Sequence, residues 1–339
     1  MEYDAKESCC GWCYAMGPTM RCSKCLRAYC CRECQVKDWK EGCHKVWCGK
    51  SGEKCIDYEI RDAGEGKGLG LFTLRDFERG EKILVERAVA TQPAGGIMGH
   101  LVDFSQLRES TTLMNAAMAL APGGTSSLSE KFVVNCASLG DADDAGDAGS
   151  GLFLDFSRVN HDCIGNSSHD YDPSLKLIIL VANHDIPTGS EVTFSYVGTT
   201  SLSPLERKSR IRSRGFQCAC LVCRDPGIGA DLDRGFHLDQ SIFQLGSKGK
   251  VEEAIRDGEL LIKIYDKLQA SDKAYSRTYY DLYQIAIMKK STVELGSKYI
   301  QQAYTHALRY YGREENESVR KFKHYLDNPS WHRNHRRID

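Results

Sequence analysis

The chain has no long apolar run and no excess of charge of either sign. Nowhere in its 339 residues do about eighteen uncharged apolar residues follow one another, as a membrane-spanning helix would require. The opening MEYDAKESCCGWC contains no apolar stretch of secretory length. With 45 basic and 46 acidic residues, the chain has no net charge that would attract nucleic acid or a membrane surface. We therefore expect an intracellular protein, in the cytoplasm or the nucleus. It should bind neither nucleic acid nor a membrane directly.

Cysteine, in contrast, is abundant, with 16 residues. A reducing compartment disfavours structural disulfides, which leaves metal binding or catalysis as the usual reason for so many thiols. Most of them lie in the first 55 residues or between residues 218 and 223. The segment up to about Lys54 is also short of aliphatic residues and can bury little core by itself. We expect metal to hold this segment together.

The remaining sequence predicts small sheets followed by helices. Between Asp57 and about Tyr196, β-like runs such as EKILVERAV, LKLIILVAN and EVTFSYV alternate with glycine-rich turns. Residues 106–120 are the helix-like exception, and the acidic stretch 140–151 predicts a solvated loop. After Asp225, amphipathic helices are predicted for VEEAIRDGELLIKIYDKL, AYSRTYYDLYQIAIMKK and ELGSKYIQQAYTHALRYYG. The fold class is therefore α+β.

The predicted helices have two interpretations. Their aromatic and aliphatic stripes could line a peptide groove of the tetratricopeptide kind, or they could bury one another as a helical cap on the preceding domain. The tail WHRNHRRID is interpreted as a solvated terminus.

Eight potential metal ligands occur as four pairs in the first cluster. Zinc prefers four tetrahedral thiolate or imidazole ligands, and a C-x2-C turn supplies two thiolates at once. Eight ligands with this spacing predict two closed structural zinc sites. The residues are Cys10, Cys13, Cys22, Cys25, Cys30, Cys34, His44 and Cys48.

This pattern, with Trp39 ahead of the last pair, resembles the MYND zinc finger over residues 5–50. The resemblance implies interleaved sites, in which Cys10, Cys13, Cys30 and Cys34 hold one zinc ion while Cys22, Cys25, His44 and Cys48 hold the other. Cys9 could replace Cys10, and Cys43 could replace a neighbouring ligand. MYND fingers bind protein segments, since a closed site has no open position for a substrate.

Three further motifs follow in order: GKGLGLFTLRDFERGEKIL, FSRVNHDCIGNSSHD, and EVTFSYVG followed by FQCACLVC. Together they resemble the SET domain of protein lysine methyltransferases, and with the finger the chain resembles the SET-MYND family. The resemblance implies a SET-type catalytic domain over residues 57–200, a post-SET cysteine segment over 201–226 and a helical region over 232–328.

The resemblance also implies which residues bind S-adenosylmethionine. Gly68 and Gly70, on either side of Leu69, would let the backbone approach the methionine part, and Lys67 would meet its carboxylate. Asn160 and His161 would hold the amino group and adenine of the cofactor. Asn135 and Tyr196 would border the cofactor, and Phe216 would stack on the adenine ring.

The resemblance implies a catalytic role for Tyr196, whose hydroxyl would point at the axis of methyl transfer. His161 is alternatively interpreted as a general base. The motif match implies that Cys163 joins Cys218, Cys220 and Cys223 in a third tetrahedral zinc site.

Three features depart from the family pattern. Asp162 replaces a small hydroxyl residue and Gly165 replaces a proline, and the finger precedes the whole catalytic region instead of lying within it.

The sequence leaves three candidate functions. The first is methyl transfer to a lysine of a histone or non-histone protein by a monomer, with peptide partners for the finger and the helices. The second is methylation of a small carboxylate or amine, and the third is a non-catalytic adaptor.

Overall fold

The structure is a computed structural model in which a defined part of the chain is described. The described residues are 10, 12, 18–24, 27–40, 44–48, 57–64, 66–95, 101–121, 126–140, 148–173, 175–198, 202–312, 314 and 316–338. They divide into two compact units, Met1–Asn160 with Ser167–Phe194 and His161–Asn166 with Ser195–Asp339. No helix in these ranges combines the length and apolar character needed to span a bilayer.

The first unit contains several small antiparallel sheets, which confirms that part of the sequence prediction. Strand β1 pairs with β2, β4 lies between β3 and β12, β11 lies between β10 and β5, and β8 lies between β6 and β7. The strands are β1 (Met20–Arg21), β2 (Ala28–Tyr29), β3 (Tyr58–Asp62), β4 (Leu69–Thr73), β5 (Lys82–Glu86), β6 (Ala90–Gln92), β7 (Ala137–Ser138), β8 (Ser150–Leu152), β9 (Asn160–His161), β10 (Ser167–Asp172), β11 (Leu177–Ala182) and β12 (Glu191–Phe194).

The helices of this unit are short. They are α1 (Arg32–Lys40), α2 (His44–Trp47), α3 (Ser105–Arg108), α4 (Thr111–Met118) and α5 (Leu128–Asn135). The helix predicted over 106–120 is confirmed, but it is divided into α3 and α4. Ser110 causes the break because its backbone is extended and its side chain accepts a hydrogen bond from the amide of Leu113, 3.3 Å away.

The prediction of a loop over residues 140–151 is wrong for the last two of these residues. Ser150 and Gly151 belong to β8, which pairs with β6 and β7. A Cβ atom on Gly151 would lie 2.8 Å from the Leu139 side chain, so the glycine is needed for close packing rather than for a flexible turn. Residues 141–147 lie outside the described residues.

A partly buried carboxyl group organises the turn ahead of β9. Oε1 of Glu86 accepts hydrogen bonds from the amides of Leu154 (2.7 Å) and Asp155 (3.1 Å), and Oε2 accepts one from the amide of Phe156 (2.9 Å). Burial and the nearby charge of Asp155 raise the pKa of Glu86 to about 8, although the three amides act in the opposite direction. Glu86 thus fixes the backbone a few residues before Asn160.

This carboxyl group should make stability depend on pH. Between pH 4.5 and about 8 the unfolded chain releases the Glu86 proton while the folded chain keeps it, so the free energy of unfolding should fall as pH rises through this window and level off above it. Glu86→Gln should remove this dependence and cost about 1–3 kcal/mol, because its NH2 group would face an amide donor. Urea unfolding at several pH values tests this, with the exposed Glu109→Gln as control. Equal pH dependence in wild type and Glu86→Gln would contradict it.

The second unit is mainly helical. Its helices are α6 (Pro204–Ser213), α7 (Leu221–Arg224), α8 (Pro226–Ser247), α9 (Val251–Leu268), α10 (Asp272–Ala286), α11 (Val293–Tyr311) and α12 (Glu317–Asp327). The three predicted amphipathic helices are confirmed as α9, α10 and α11. The glycine-rich α8 starts where Asp225 accepts hydrogen bonds from the amides of Gly227 and Ile228.

Packing within this unit pairs α8 with α9 and α10 with α11. Fully buried Leu261, Leu282 and Ile300 belong to its core. The interpretation of the tail as solvated is wrong in part, since the amides of Arg336 and Ile338 donate to the carbonyls of Ile287 (2.8 Å) and Met288 (3.0 Å). The tail, α8 and α10 border a cavity of about 850 Å³.

Candidate active site and metal sites

A glycine turn precedes β4 in the first unit. The amide of Ala63 donates to the Gly68 carbonyl (2.8 Å), and the amide of Lys67 donates to the Gly64 carbonyl (2.9 Å). Gly68 has a φ of +75°, a backbone conformation that a side chain makes unfavourable. Glycine at this position is thus a requirement of the turn itself. The adjacent Leu69 begins β4 and its side chain is exposed.

Gly70, Asn160 and Glu191 meet closely beside this turn. Nδ2 of Asn160 donates to Oε1 of Glu191 (2.8 Å) and more weakly to the Leu69 carbonyl (3.4 Å). A Cβ on Gly70 would lie 3.0 Å from both Asn160 Nδ2 and Glu191 Oε1. Because these bonds use Nδ2 of Asn160, they orient its Oδ1 as the remaining acceptor.

Glu191 also pairs with Lys67, whose Nζ lies 3.1 Å from Oε2. The Lys67 ammonium therefore already has an anionic partner, and it would have to share or leave Glu191 to reach a ligand carboxylate. Glu191 was missed by the sequence analysis because an acidic residue at the start of a strand has no distinctive signal. The position of β12 between β4 and β9 brings it to Lys67 and Asn160.

Asn135 ends α5 in the first unit. Its Nδ2 donates to the carbonyls of Lys131 (2.7 Å) and Ala121, and its own carbonyl accepts a hydrogen bond from Ser157 Oγ (3.2 Å). Its side-chain amide thus caps the helix end. Its backbone carbonyl, through the hydrogen bond from Ser157, connects the helix to the turn that leads to Asn160.

The second unit brings together His161, Tyr196 and Phe216. Nδ1 of His161 accepts a hydrogen bond from the Tyr196 amide (3.1 Å), so the neutral ring carries its proton on Nε2, which lies 3.5 Å from Cys163 Sγ. Both ring nitrogens have partners, which disfavours His161 as a general base. The rings of Tyr196 and Phe216 meet edge to face, 6.3 Å apart.

One cation contacts the Tyr196 ring. The guanidinium carbon of Arg214 lies 5.2 Å from the ring centroid, within the range of a cation–π contact. Arg214 is the residue at the end of α6, and its side chain is exposed. The sequence analysis gave it no role, because an arginine in an arginine-rich helix has no distinguishing pattern.

The four cysteines predicted to hold a third metal ion lie close together in the second unit. The sulfur atoms of Cys163, Cys218, Cys220 and Cys223 all lie within 4.8 Å of one another. Hydrogen bonds with Cys163 and Cys218 lower the pKa of Cys220. At Cys218 the bond with Cys163 lowers the pKa, but the bond with Cys220 and burial outweigh it and raise the pKa to about 12. Four thiol ligands this close are the donor set of a structural zinc site.

The N-terminal cysteines form two groups, in the interleaved order that the resemblance implied. One contains Cys10, Cys30 and Cys34, and the other contains Cys22, His44 and Cys48. Each group could hold a metal ion. The fourth ligands predicted for these groups, Cys13 and Cys25, lie outside the described residues, as do Cys9 and Cys43.

A hydrogen-bond chain orients His44. The Tyr29 hydroxyl lies 2.6 Å from both Asp38 Oδ2 and His44 Nδ1. Since the hydroxyl has one proton to give to the carboxylate, it accepts from Nδ1–H, which leaves His44 Nε2 unprotonated for a metal. Burial lowers the pKa of His44, which also favours the metal-binding neutral form.

Comparison with known proteins identifies one domain and several relatives. Residues 68–197 match the model of the SET domain, so this part of the chain is a SET domain. The chain is 25% identical over 261 residues to histone-lysine N-methyltransferase SMYD3 of Homo sapiens, covering 71% of this chain and 55% of that protein. The corresponding values for histone-lysine N-methyltransferase ASHR1 of Arabidopsis thaliana are 26% over 254 residues, 69% and 50%.

A shorter and more similar match is histone-lysine N-methyltransferase set5 of Schizosaccharomyces pombe, 36% identical over 73 residues, or 22% of this chain and 23% of that protein. Beyond its SET domain, the chain is similar to the histone-lysine N-methyltransferases SMYD3 and ASHR1 over about 70% of its length. It spans about half the length of the SMYD3 and ASHR1 relatives.

Proposed function

We propose that the protein transfers a methyl group from S-adenosylmethionine to a lysine side chain of a protein substrate. The observation that carries the proposal is the arrangement of Gly70, Asn160 and Glu191 inside a SET domain. Glu191 holds Nδ2 of Asn160 at 2.8 Å, which orients Oδ1 to accept from an ammonium group such as that of the cofactor's methionine part. Names of the relatives support lysine as the acceptor.

The proposed reaction is an in-line displacement. S-adenosylmethionine supplies a methyl group on a cationic sulfur. The neutral lysine nitrogen donates its lone pair to the methyl carbon, the carbon–sulfur bond breaks with its electron pair remaining on sulfur, and the nitrogen loses a proton to water. The products are methyl-lysine and S-adenosylhomocysteine. Alignment of the amine with the methyl group provides most of the rate, so residues that fix geometry matter more than an acid or base.

Individual roles follow from the two groups of residues. Gly68, Leu69 and Gly70 bring backbone to the methionine part, and Lys67 is a further candidate for its carboxylate. His161 and Phe216 contact the adenosine part, and Asn135 borders the cofactor through its backbone. Tyr196 directs its hydroxyl to the acceptor nitrogen.

The proposed organisation includes three zinc ions. A MYND-type finger over residues 5–50 would hold two, and Cys163 with the post-SET segment 201–226 would hold the third. The SET-type catalytic domain would cover 57–200 and the helical region 232–328. Reduced thiols in three groups favour an intracellular location, and the cavity beside α8 and α10 supports a peptide-binding role for the helices.

Transfer of labelled methyl groups tests the proposed function. Purified protein is incubated with methyl-labelled S-adenosylmethionine and a cell extract separated into protein and small-molecule fractions. Label is expected on lysine in the protein fraction. Label only in the small-molecule fraction would favour a carboxylate or amine acceptor. Binding of protein partners without methyl transfer to either fraction would favour an adaptor.

Gly70→Ala should weaken the binding of S-adenosylmethionine about tenfold or more. The added methyl group would lie 3.0 Å from Asn160 Nδ2 and Glu191 Oε1, so the Asn160 amide would have to move. Calorimetric titration measures the affinity. Glu191→Gln is the matched comparison, since its carbonyl oxygen can still accept from Asn160 and the loss should be smaller. An unchanged affinity in Gly70→Ala, with an unchanged unfolding midpoint, would contradict the assignment.

A further inference from the structure

Helix α6 carries a group of exposed cations whose charge is largely uncompensated. Lys208, Arg210, Arg212 and Arg214 are exposed, and no carboxylate among the described residues lies within salt-bridge distance of them. Arg210 is near Glu206, whose carboxylate is already engaged by Ser203 in a capping box. In contrast, the preceding Arg207 is buried and pairs with Asp233 at 2.8 Å. Lys208 and Arg212 lie two residues from Arg210 and Arg214 and therefore face another side of the helix, so we call only Arg210 and Arg214 the basic face.

The basic face ends at the aromatic group of the candidate site. Arg214 lies over the Tyr196 ring, and Tyr196 meets Phe216 edge to face. Arg210 precedes Arg214 by one helical turn, so the two project from the same side of α6. Positive charge therefore extends along the helix from the tyrosine whose hydroxyl is assigned to the acceptor nitrogen.

We infer that the basic face selects protein substrates in which acidic residues flank the acceptor lysine. The inference rests on the proposed function, because it requires Tyr196 to border the acceptor. Glutamate or aspartate beside the lysine would meet Arg214 and Arg210, whereas arginine there would be repelled. Electrostatic complementarity of this kind discriminates between partners more than it raises affinity.

Matched peptides test the inference with the full chain. Each has one central lysine, and its flanking positions are all glutamate, all glutamine or all arginine. Methyl transfer to each peptide is measured in one assay, and binding of each peptide is measured separately by fluorescence anisotropy. We expect the glutamate peptide to be preferred over the arginine peptide by about tenfold at low salt, and the preference to shrink as salt rises because exposed charges are screened.

Two double variants separate this surface from a general charge effect. Arg210→Gln with Arg214→Gln should lower the glutamate-to-glutamine ratio about fivefold. Arg256→Gln with Lys263→Gln removes the same charge from the exposed side of α9 and should leave that ratio unchanged. A circular dichroism spectrum and unfolding midpoint establish that both variants are folded.

The outcomes distinguish this inference from the proposed function. Equal transfer to all three peptides would overturn the selectivity and leave lysine methylation standing. Selective binding of the glutamate peptide without transfer would support the basic face and count against the proposed function. Tighter binding of a single-stranded oligonucleotide than of the glutamate peptide, lost in Arg210→Gln with Arg214→Gln, would overturn the inference in favour of a nucleic-acid surface.

Discussion

Tyr196→Phe is expected to lower the rate of methyl transfer by at least about a hundredfold while changing the affinity for S-adenosylmethionine by less than about twofold. The substitution removes only the hydroxyl group, and loss of one preorganised polar group at a reaction centre has an effect of this size. The ring should stay in place, because the Tyr196 amide donates to His161 and the ring meets Phe216 and Arg214.

Single-turnover transfer with labelled cofactor measures the chemical step, and calorimetry measures binding. Tyr304→Phe on α11 is the matched control, since it removes a hydroxyl from another partly exposed tyrosine of the same unit. Retention of more than about a tenth of the rate by Tyr196→Phe would show that its hydroxyl is not needed for transfer.

Cys163→Ser should remove about one zinc ion per chain and reduce the free energy of unfolding by at least about 3 kcal/mol. Cys163 is the member of the four-thiol group farthest in sequence from the other three, and it is fully buried. A metal bound there would tie residues 161–166 to the segment 218–223 within the second unit. Its loss should also release His161, whose Nε2 lies 3.5 Å from the Cys163 sulfur.

Elemental analysis gives the zinc content, and urea unfolding gives the stability. Cys136→Ser is the control, because Cys136 belongs to none of the three candidate metal groups among the described residues. An unchanged zinc content in Cys163→Ser would remove Cys163 from the ligand set. Equal zinc loss in both variants would indicate a general effect of the substitution.

Local sequence patterns predicted the elements well where one pattern acted alone. The stripe of α9 has the period of a helix from Val251 to Leu268, and the structure begins and ends the helix at these residues. The pattern failed where a local interaction competed with it. Ser110 interrupts the helix predicted over 106–120, and Gly151 is in a strand because close packing, not turn formation, requires its missing side chain.

Some residues of the candidate site could likewise be predicted from local sequence and others could not. Gly68, Asn160 and Tyr196 stand in motifs whose order was sufficient to indicate a SET domain. Glu191 and Arg214 act through neighbours on other elements, so their roles became visible only from the position of β12 between β4 and β9 and from the end of α6.

The sequence alone determined that the chain is a thiol-rich, mixed helix and sheet protein with a SET domain, because ligand spacing and motif order are properties of the chain itself. Only the tertiary structure decided which carboxylate orients Asn160 and which cation contacts Tyr196. These are contacts between residues on different elements of the chain, and their geometry is set when strands pair and helices pack.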